Sequence, residues 1–142
     1  MVRLAIVVAA AALVLATGAA FAASGAYFFR RPSGNIYCAY EHYDFAPFAL
    51  RCEIRSGVKP LPPRPKACGD AVWGAGYSMR QTGRAYVLCI TDTVYDPKAK
   101  VFAYGTTWRG GGFTCTSRTT GLRCANRSGH GFFLSRQRSF SF

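Results

Sequence analysis

The chain has 142 residues, a formal net charge of +12 and six cysteines, and half of its residues are hydrophobic. This length suits one domain with one core and argues against a second domain. With only two histidines and no Cys-x-x-Cys pair, the composition argues against a zinc site. The excess of Lys and Arg over Asp and Glu, 18 against 6, favours anionic partners such as nucleic acid, phosphate-bearing envelope polymers or acidic lipid headgroups. It equally fits a solvated surface that only keeps the protein soluble.

The first 23 residues have the pattern of a secretory signal peptide. Arg3 precedes an apolar run, residues 4–15, which is shorter than the roughly 20 residues of a membrane span. The small residues around Phe21 fit a cleavage site. The sequence therefore predicts a signal peptide over residues 1–23 and a secreted or periplasmic domain over residues 24–142, with no transmembrane segment after the signal is removed.

The rest of the chain has the pattern of an all-β protein. Short apolar and aromatic runs recur at strand spacing between glycines and prolines, and no stretch keeps a helical period over three turns. We predict eight strands: Ala26–Arg30, Ile36–Glu41, Phe48–Arg55, Arg84–Thr91, Lys100–Tyr104, Gly112–Ser117, Leu122–Arg127 and Phe132–Arg138. Eight short strands favour a single small β-sandwich or a partly closed barrel.

Two cysteine-containing stretches repeat each other. Residues 50–57, Leu-Arg-Cys-Glu-Ile-Arg-Ser-Gly, return as residues 122–129, Leu-Arg-Cys-Ala-Asn-Arg-Ser-Gly, and an upstream cysteine precedes each copy. The repeats predict two β-hairpins, each clamped by a disulfide between adjacent strands. An even cysteine count in a short exported chain indicates a disulfide framework in an oxidising compartment. Of the fifteen possible connectivities, we predict Cys38–Cys52, Cys68–Cys89 and Cys115–Cys124.

Alternation along these hairpins sorts their side chains into two faces. In the first copy, Leu50, Cys52 and Ile54 share one face, and Glu53 lies on the other with two arginines. In the second copy, Leu122 and Cys124 share one face, and Arg123 and Arg127 lie on the other. The sequence thus predicts that the clamps are buried and that arginines line the wet face of the sheet. The candidate anion-binding residues are Arg51, Arg55, Arg123 and Arg127.

The segment between the two hairpins, residues 59–66, contains four prolines. Proline lacks a backbone donor and favours extended backbone, so this segment cannot form a central strand. We expect a stiff surface connector held by Cys68. A polyproline ligand for a partner's aromatic groove is the alternative.

Several motifs together resemble a known family. They are Phe29, the run Pro-Ser-Gly-Asn-Ile-Tyr-Cys at 32–38, Arg51–Ile54, Cys89 with Asp92-Thr93, Tyr104–Thr106, Gly121 with Cys124–Asn126, and the closing run Ser-Gly-His-Gly-Phe-Phe-Leu-Ser-Arg at 128–136. The chain is similar to small exported bacterial domains of unknown function. The resemblance covers nearly the whole predicted domain, and the closing motif is its most specific part. It implies a secreted, disulfide-bonded domain, and it supplies no activity, substrate or cofactor.

His130 is the residue best placed in the sequence for acid–base chemistry. It lies between two glycines, where an exposed turn would let its ring reach a ligand. With Glu53 as its partner and Arg51 or Arg123 stabilising charge, it would suit a secreted basic ribonuclease or phosphodiesterase. The structural alternative is a turn histidine whose ring bonds to a nearby carbonyl. Disulfide-bonded cysteines are not nucleophiles, no Gly-x-Ser-x-Gly elbow is present, and the aspartates are too scattered for a calcium loop.

Aromatic residues lie beside arginines near both ends of the predicted domain, in residues 27–31 and in the run from Arg138 to Phe142. Rings beside cations can stack on single-stranded nucleic acid, and large rings also fill an all-β core. We therefore expect a non-catalytic binding or accessory module of the cell envelope, without metal or cofactor. Its partner would be an anionic polymer, nucleic acid among the options, or an acidic protein. The nuclease built on His130 and Glu53 is the alternative.

Overall fold

The computed structural model describes residues 25–43 and 46–142, so the predicted signal peptide lies outside the described residues. These residues form eleven strands and one short 3-10 helix, Lys66–Cys68. The described part of the chain contains no helix with the length and hydropathy of a membrane span.

The strands form two sheets. The first has six strands, β1 Gly25–Arg30, β2 Ile36–Tyr43, β3 Ala46–Ile54, β4 Val72–Arg80, β5 Tyr86–Ile90 and β6 Lys100–Val101, in the order β5-β4-β3-β2-β1-β6. Within this sheet, neighbouring strands pair antiparallel, except that β1 and β6 pair parallel to each other. The second has five antiparallel strands, β7 Thr107–Gly110, β8 Phe113–Arg118, β9 Gly121–Ala125, β10 Gly131–Leu134 and β11 Ser139–Ser141, in the order β11-β10-β9-β8-β7.

The two sheets pack face to face around one core, which makes the fold a β-sandwich. Leu50 and Met79 of the six-stranded sheet are fully buried, as are Leu122 and Phe132 of the five-stranded sheet. The rings of Tyr77 and Phe132 stack between the sheets with their centroids 5.7 Å apart. The predicted all-β class is confirmed, and of its two architectures the sandwich is the one observed.

All three predicted disulfides are present. In each of the pairs Cys38–Cys52 and Cys115–Cys124, the two residues lie directly opposite each other on adjacent strands with their Cα atoms 4.1 Å apart. These four cysteines are at most 1% exposed. The third bond joins the 3-10 helix to β5, and its Cα atoms are 5.7 Å apart. No free cysteine occurs among the described residues.

Each of the eight predicted strands is found with shifted ends, and three further strands, β4, β7 and β11, raise the total to eleven. The longest of these, β4, contains two glycines that hide its alternation. Gly74 has φ +81°, and the pairing of β4 with β5 shifts between Trp73 and Tyr77. At Gly76 a Cβ would lie 1.9 Å from the carbonyl oxygen of Cys52. The glycines therefore permit a bulge and a close strand approach that a simple period of two does not describe.

The proline-rich segment is a surface connector between β3 and the 3-10 helix, as predicted, and none of its residues belongs to a strand. Trp73 donates its indole N–H to the carbonyl of Pro62 at 2.8 Å. Arg64 donates to the carbonyls of Ala71, at 2.6 Å, and Gly69. These bonds hold the connector against β4 and the chain that precedes it.

Candidate functional site

Glu53 lies on the outer face of the six-stranded sheet, as its alternation with Cys52 predicts, but it is only 8% exposed. The chain that follows β5 covers it. One carboxylate oxygen accepts from the Arg51 guanidinium and from the backbone N–H of Val94 at 3.0 Å. The other accepts from the hydroxyl of Thr93 at 2.6 Å. Both oxygens are thus occupied by the protein's own donors, so the carboxylate anchors a loop and offers no base to a ligand.

Arg51 is tied to the same loop. Besides Glu53, it contacts Asp92 through a carboxylate oxygen and a carbonyl oxygen, both at 2.9 Å. Burial alone would lower the pKa of Arg51, but the Asp92 hydrogen bond and the Glu53 charge outweigh burial and raise the pKa. Arg55 is exposed, and its guanidinium lies 5.3 Å from the centre of the Tyr95 ring. The carboxylates of Glu53 and Asp92 therefore neutralise Arg51. Of the two candidate arginines in the first hairpin, Arg55 is the one left available to a ligand.

A shallow groove of about 530 Å³ lies beside this loop. Its aromatic wall comprises Tyr37, Trp73 and Tyr95, and Tyr37 and Tyr95 meet edge to face with ring centroids 4.6 Å apart. Glu53 is the groove's carboxylate, and it is already bonded to its neighbours. The groove offers an apolar surface without an available acid or base.

His130 lies in the turn between β9 and β10, in the other sheet. Its Nδ1 is 3.2 Å from the carbonyl oxygen of Phe142, which matches the structural alternative for a turn histidine. Glu53 points away from the sheet that carries His130, and the core lies between the two sheets. The structure does not bring His130 and Glu53 together, so the geometry does not support the ribonuclease or phosphodiesterase alternative.

The four candidate anion-binding arginines also lie apart. Arg51 and Arg55 belong to the outer face of the six-stranded sheet, Arg123 belongs to the outer face of the five-stranded sheet, and exposed Arg127 follows β9. The expectation of one shared face fails because the two repeated hairpins lie in different sheets of a sandwich. Side chains that face outward from the two sheets point in opposite directions.

The outer face of the five-stranded sheet holds a continuous row of side chains, one from each strand. The register aligns Thr107, Thr116, Arg123, Phe133 and Phe140 across β7, β8, β9, β10 and β11. We call the surface around this row the arginine–phenylalanine face, and it comprises Arg109, Arg123, Arg138, Phe133, Phe140 and Phe142.

Guanidinium groups and rings pack against each other on this face. Arg123 lies 3.8 Å from the centre of the Phe142 ring, and Arg138 lies 5.6 Å from Phe133 and 5.4 Å from Phe140. The two rings of Phe133 and Phe140 stack at 5.3 Å, and Phe140 is 40% exposed. Such cation–π contacts hold the charged groups at the surface beside an exposed ring.

The charged side chains in the part of the chain that forms this face all have one sign. Asp96 is the last acidic residue in the sequence, and the chain from β7 onward carries six arginines: Arg109, Arg118, Arg123, Arg127, Arg136 and Arg138. Arg109 donates to the hydroxyl of Thr114 at 3.0 Å, a neutral partner. In the sequence pattern, Arg138 stands out only beside its phenylalanines, and nothing marks Arg109. The run of 46 residues without Asp or Glu, from 97 to 142, was the signal that could have found this face.

Comparison with known proteins gives a family without an assigned activity. No curated protein matches the chain, and no solved structure matches it. Among the described residues, no three His, Cys, Asp or Glu side chains are grouped so that they could hold a metal ion. One family model, described as a family of unknown function (DUF6636), matches residues 9–142. Since this match covers almost the entire chain and the resemblance seen in the sequence pointed to a family without established activity, the protein belongs to the DUF6636 family.

Proposed function

We propose that the protein is a non-catalytic binding module whose arginine–phenylalanine face engages an anionic polymer outside the cytoplasm. The observation that carries this proposal is that the five-stranded sheet and its turns contain six arginines and no acidic side chain. The outer face of this sheet sets guanidinium groups beside an exposed phenylalanine. The three disulfides fit an extracellular or periplasmic location.

The shape of the face suits an extended ligand. The row from Thr107 to Phe140 crosses five strands, which corresponds to about 19 Å at the usual strand spacing. Arginine forks match phosphate geometry, and threonine hydroxyls can donate further bonds. An exposed ring beside a cation also stacks on bases. A single-stranded nucleic acid can therefore contact both the arginines and the exposed ring, whereas a polymer of phosphate alone can contact only the arginines.

Replacing Arg109, Arg123 and Arg138 by glutamine is expected to weaken binding of a single-stranded oligothymidylate about 10-fold to 100-fold. Each arginine that neutralises a phosphate contributes about 0.7 to the slope of log K against log salt for single strands, so the slope should fall by about 2. Fluorescence anisotropy over a series of salt concentrations measures both quantities. The matched control replaces three exposed arginines, Arg55, Arg80 and Arg84, which lie in or next to the six-stranded sheet. Equal losses in both triple variants, or binding indifferent to salt, would contradict the proposed face.

Phe140→Ala is expected to weaken oligothymidylate binding about tenfold and to leave binding of inorganic polyphosphate unchanged. The reason is that a ring stacked on a base contributes about 1–3 kcal/mol, whereas polyphosphate has no base to stack. The same anisotropy assay, with polyphosphate as competitor, gives both affinities. Equal losses for the two polymers would exclude stacking. Tight binding of polyglutamate by the wild type, with neither phosphate polymer bound, would instead favour an acidic protein partner.

A further inference from the structure

A polar pocket of about 260 Å³ lies between the turns at one end of the sandwich. None of its lining residues belongs to the arginine–phenylalanine face. The turns between β1 and β2, between β8 and β9 and between β10 and β11 line it, together with Tyr104 from the chain between β6 and β7. We call it the end pocket, and the lining residues that matter here are Arg31, Tyr104, Thr119, Thr120, Ser135 and Arg136.

Arg31 is the unusual member of this lining. It is 4% exposed, so its guanidinium is almost entirely removed from water. Its contacts are the hydroxyl of Ser117 at 3.4 Å, the carbonyl of Arg118 and the face of the Tyr104 ring, 4.9 Å from the ring centre. Within residues 25–43 and 46–142, no carboxylate forms an ion pair with it. Buried charges in proteins are normally paired, so this guanidinium lacks the partner that usually accompanies such burial.

The remaining walls supply hydrogen-bond donors and a second cation. Arg136 is exposed at the pocket, and the hydroxyls of Thr119 and Thr120 are exposed beside it. The hydroxyl of Ser135 is engaged within its own turn, where it accepts from the backbone N–H of Arg138 at 3.1 Å. None of the lining residues is acidic. An anion entering the pocket would therefore meet two guanidinium groups and no opposing charge.

We propose that the end pocket binds the oxyanion of a small phosphate monoester, with Arg31 as the buried anchor and Arg136 as the second cation. The exposed Arg136 fork can donate two bonds to phosphate oxygens, whereas Arg31, whose Nε and Nη2 already bond to Ser117 and Arg118, would donate from its remaining N–H groups. Desolvation makes such a bond stronger than at the surface. The volume lies just below the range of about 300–1,000 Å³ for drug-sized ligands, so the pocket has room for a phosphate with a small attached group. Burial also lowers the pKa of Arg31, and Tyr104 opposes this with a smaller effect that raises it. A bound anion would likewise raise the pKa, because it favours the charged guanidinium.

Glycerol 3-phosphate is the probe for the test, and the arginine Nε–H resonances in a ¹⁵N NMR titration are the readout. We expect saturable binding that shifts the Arg31 resonance, and a loss of affinity of at least about fivefold in Arg136→Gln, because a second guanidinium bond to the phosphate is removed. The matched control is Arg118→Gln, which removes an exposed arginine that is close in the chain to the pocket but does not line it. This control should stay within about twofold of the wild type. Both variants change exposed side chains, so the Arg31 anchor remains in place.

Three results would overturn the proposal. They are the absence of a saturable shift at up to roughly 50 mM probe, equal weakening by Arg136→Gln and Arg118→Gln, and equal binding of glycerol without its phosphate. Arg123→Gln separates the end pocket from the proposed polymer face. This variant should bind glycerol 3-phosphate as the wild type does, whatever happens to its affinity for oligothymidylate.

Discussion

Full reduction of the disulfides is expected to unfold the protein at room temperature without any denaturant. The three bonds span 14, 21 and 9 residues of sequence. On the chain-entropy model each contributes about 3 kcal/mol by restricting the unfolded chain, which makes about 9 kcal/mol together. A domain of this size has a net stability of about 5–15 kcal/mol. The three disulfides therefore contribute about as much free energy as the whole net stability of a domain of this size.

Near-UV circular dichroism before and after treatment with a phosphine reductant measures this effect, since the signal depends on fixed aromatic packing. The control is the same protein with the reductant removed and the disulfides reformed, which should recover the native spectrum. A reduced protein that kept the native spectrum would show that the core alone is sufficient. In that case the burial of Phe113, Leu122 and Phe132 would outweigh the loss of all three bonds.

The sequence predicted those parts of the fold that depend on neighbours in the chain. The hairpin disulfides follow from local pairing, because the two cysteines of each clamp lie on consecutive strands. The inward faces follow from alternation, as Leu50 and Cys52 illustrate with 0% exposure each. Strand β4 was not predicted, because a bulge at Gly74 interrupts the two-residue alternation that identifies a strand in the sequence. The other missed strands, β7 and β11, have only four and three residues, which is too short for a clear period.

The candidate sites depended on contacts that the sequence pattern does not contain. Repetition placed Arg51 and Arg123 in equivalent hairpins, but the hairpins joined different sheets, and this separated the arginines. Arg31 appeared as the end of an aromatic and basic run. Its burial results from contacts with Ser117 and Arg118, which are 86 and 87 residues away. Glu53 likewise became a loop anchor only because residues near position 93 return to cover it.

Glu53→Ala is expected to lower the free energy of unfolding by about 3 kcal/mol or more. The substitution removes the acceptor for the Val94 N–H and the Thr93 hydroxyl, and it leaves Arg51 with a side chain that is only 14% exposed and without its buried partner. Removing one member of a buried ion pair costs about 3–5 kcal/mol for this reason. Urea unfolding followed by fluorescence gives the change in free energy. Asp92→Ala is the control, because the Asp92 side chain is 78% exposed and its ion pair should contribute less than about 1 kcal/mol.

The sign of this change also separates the two roles that the sequence allowed for Glu53. Catalytic groups are commonly held at a cost in stability, so replacing a catalytic carboxylate tends to leave a protein as stable as before or more stable. A structural anchor shows the opposite sign, and its loss should also release the chain from Asp92 to Val94, which hydrogen exchange at the Val94 amide would report. A Glu53→Ala variant with unchanged or increased stability and a protected Val94 amide would contradict the anchor. It would reopen the acid–base role despite the distance between the sheets, whereas a large loss of stability with an unprotected amide assigns Glu53 to the scaffold.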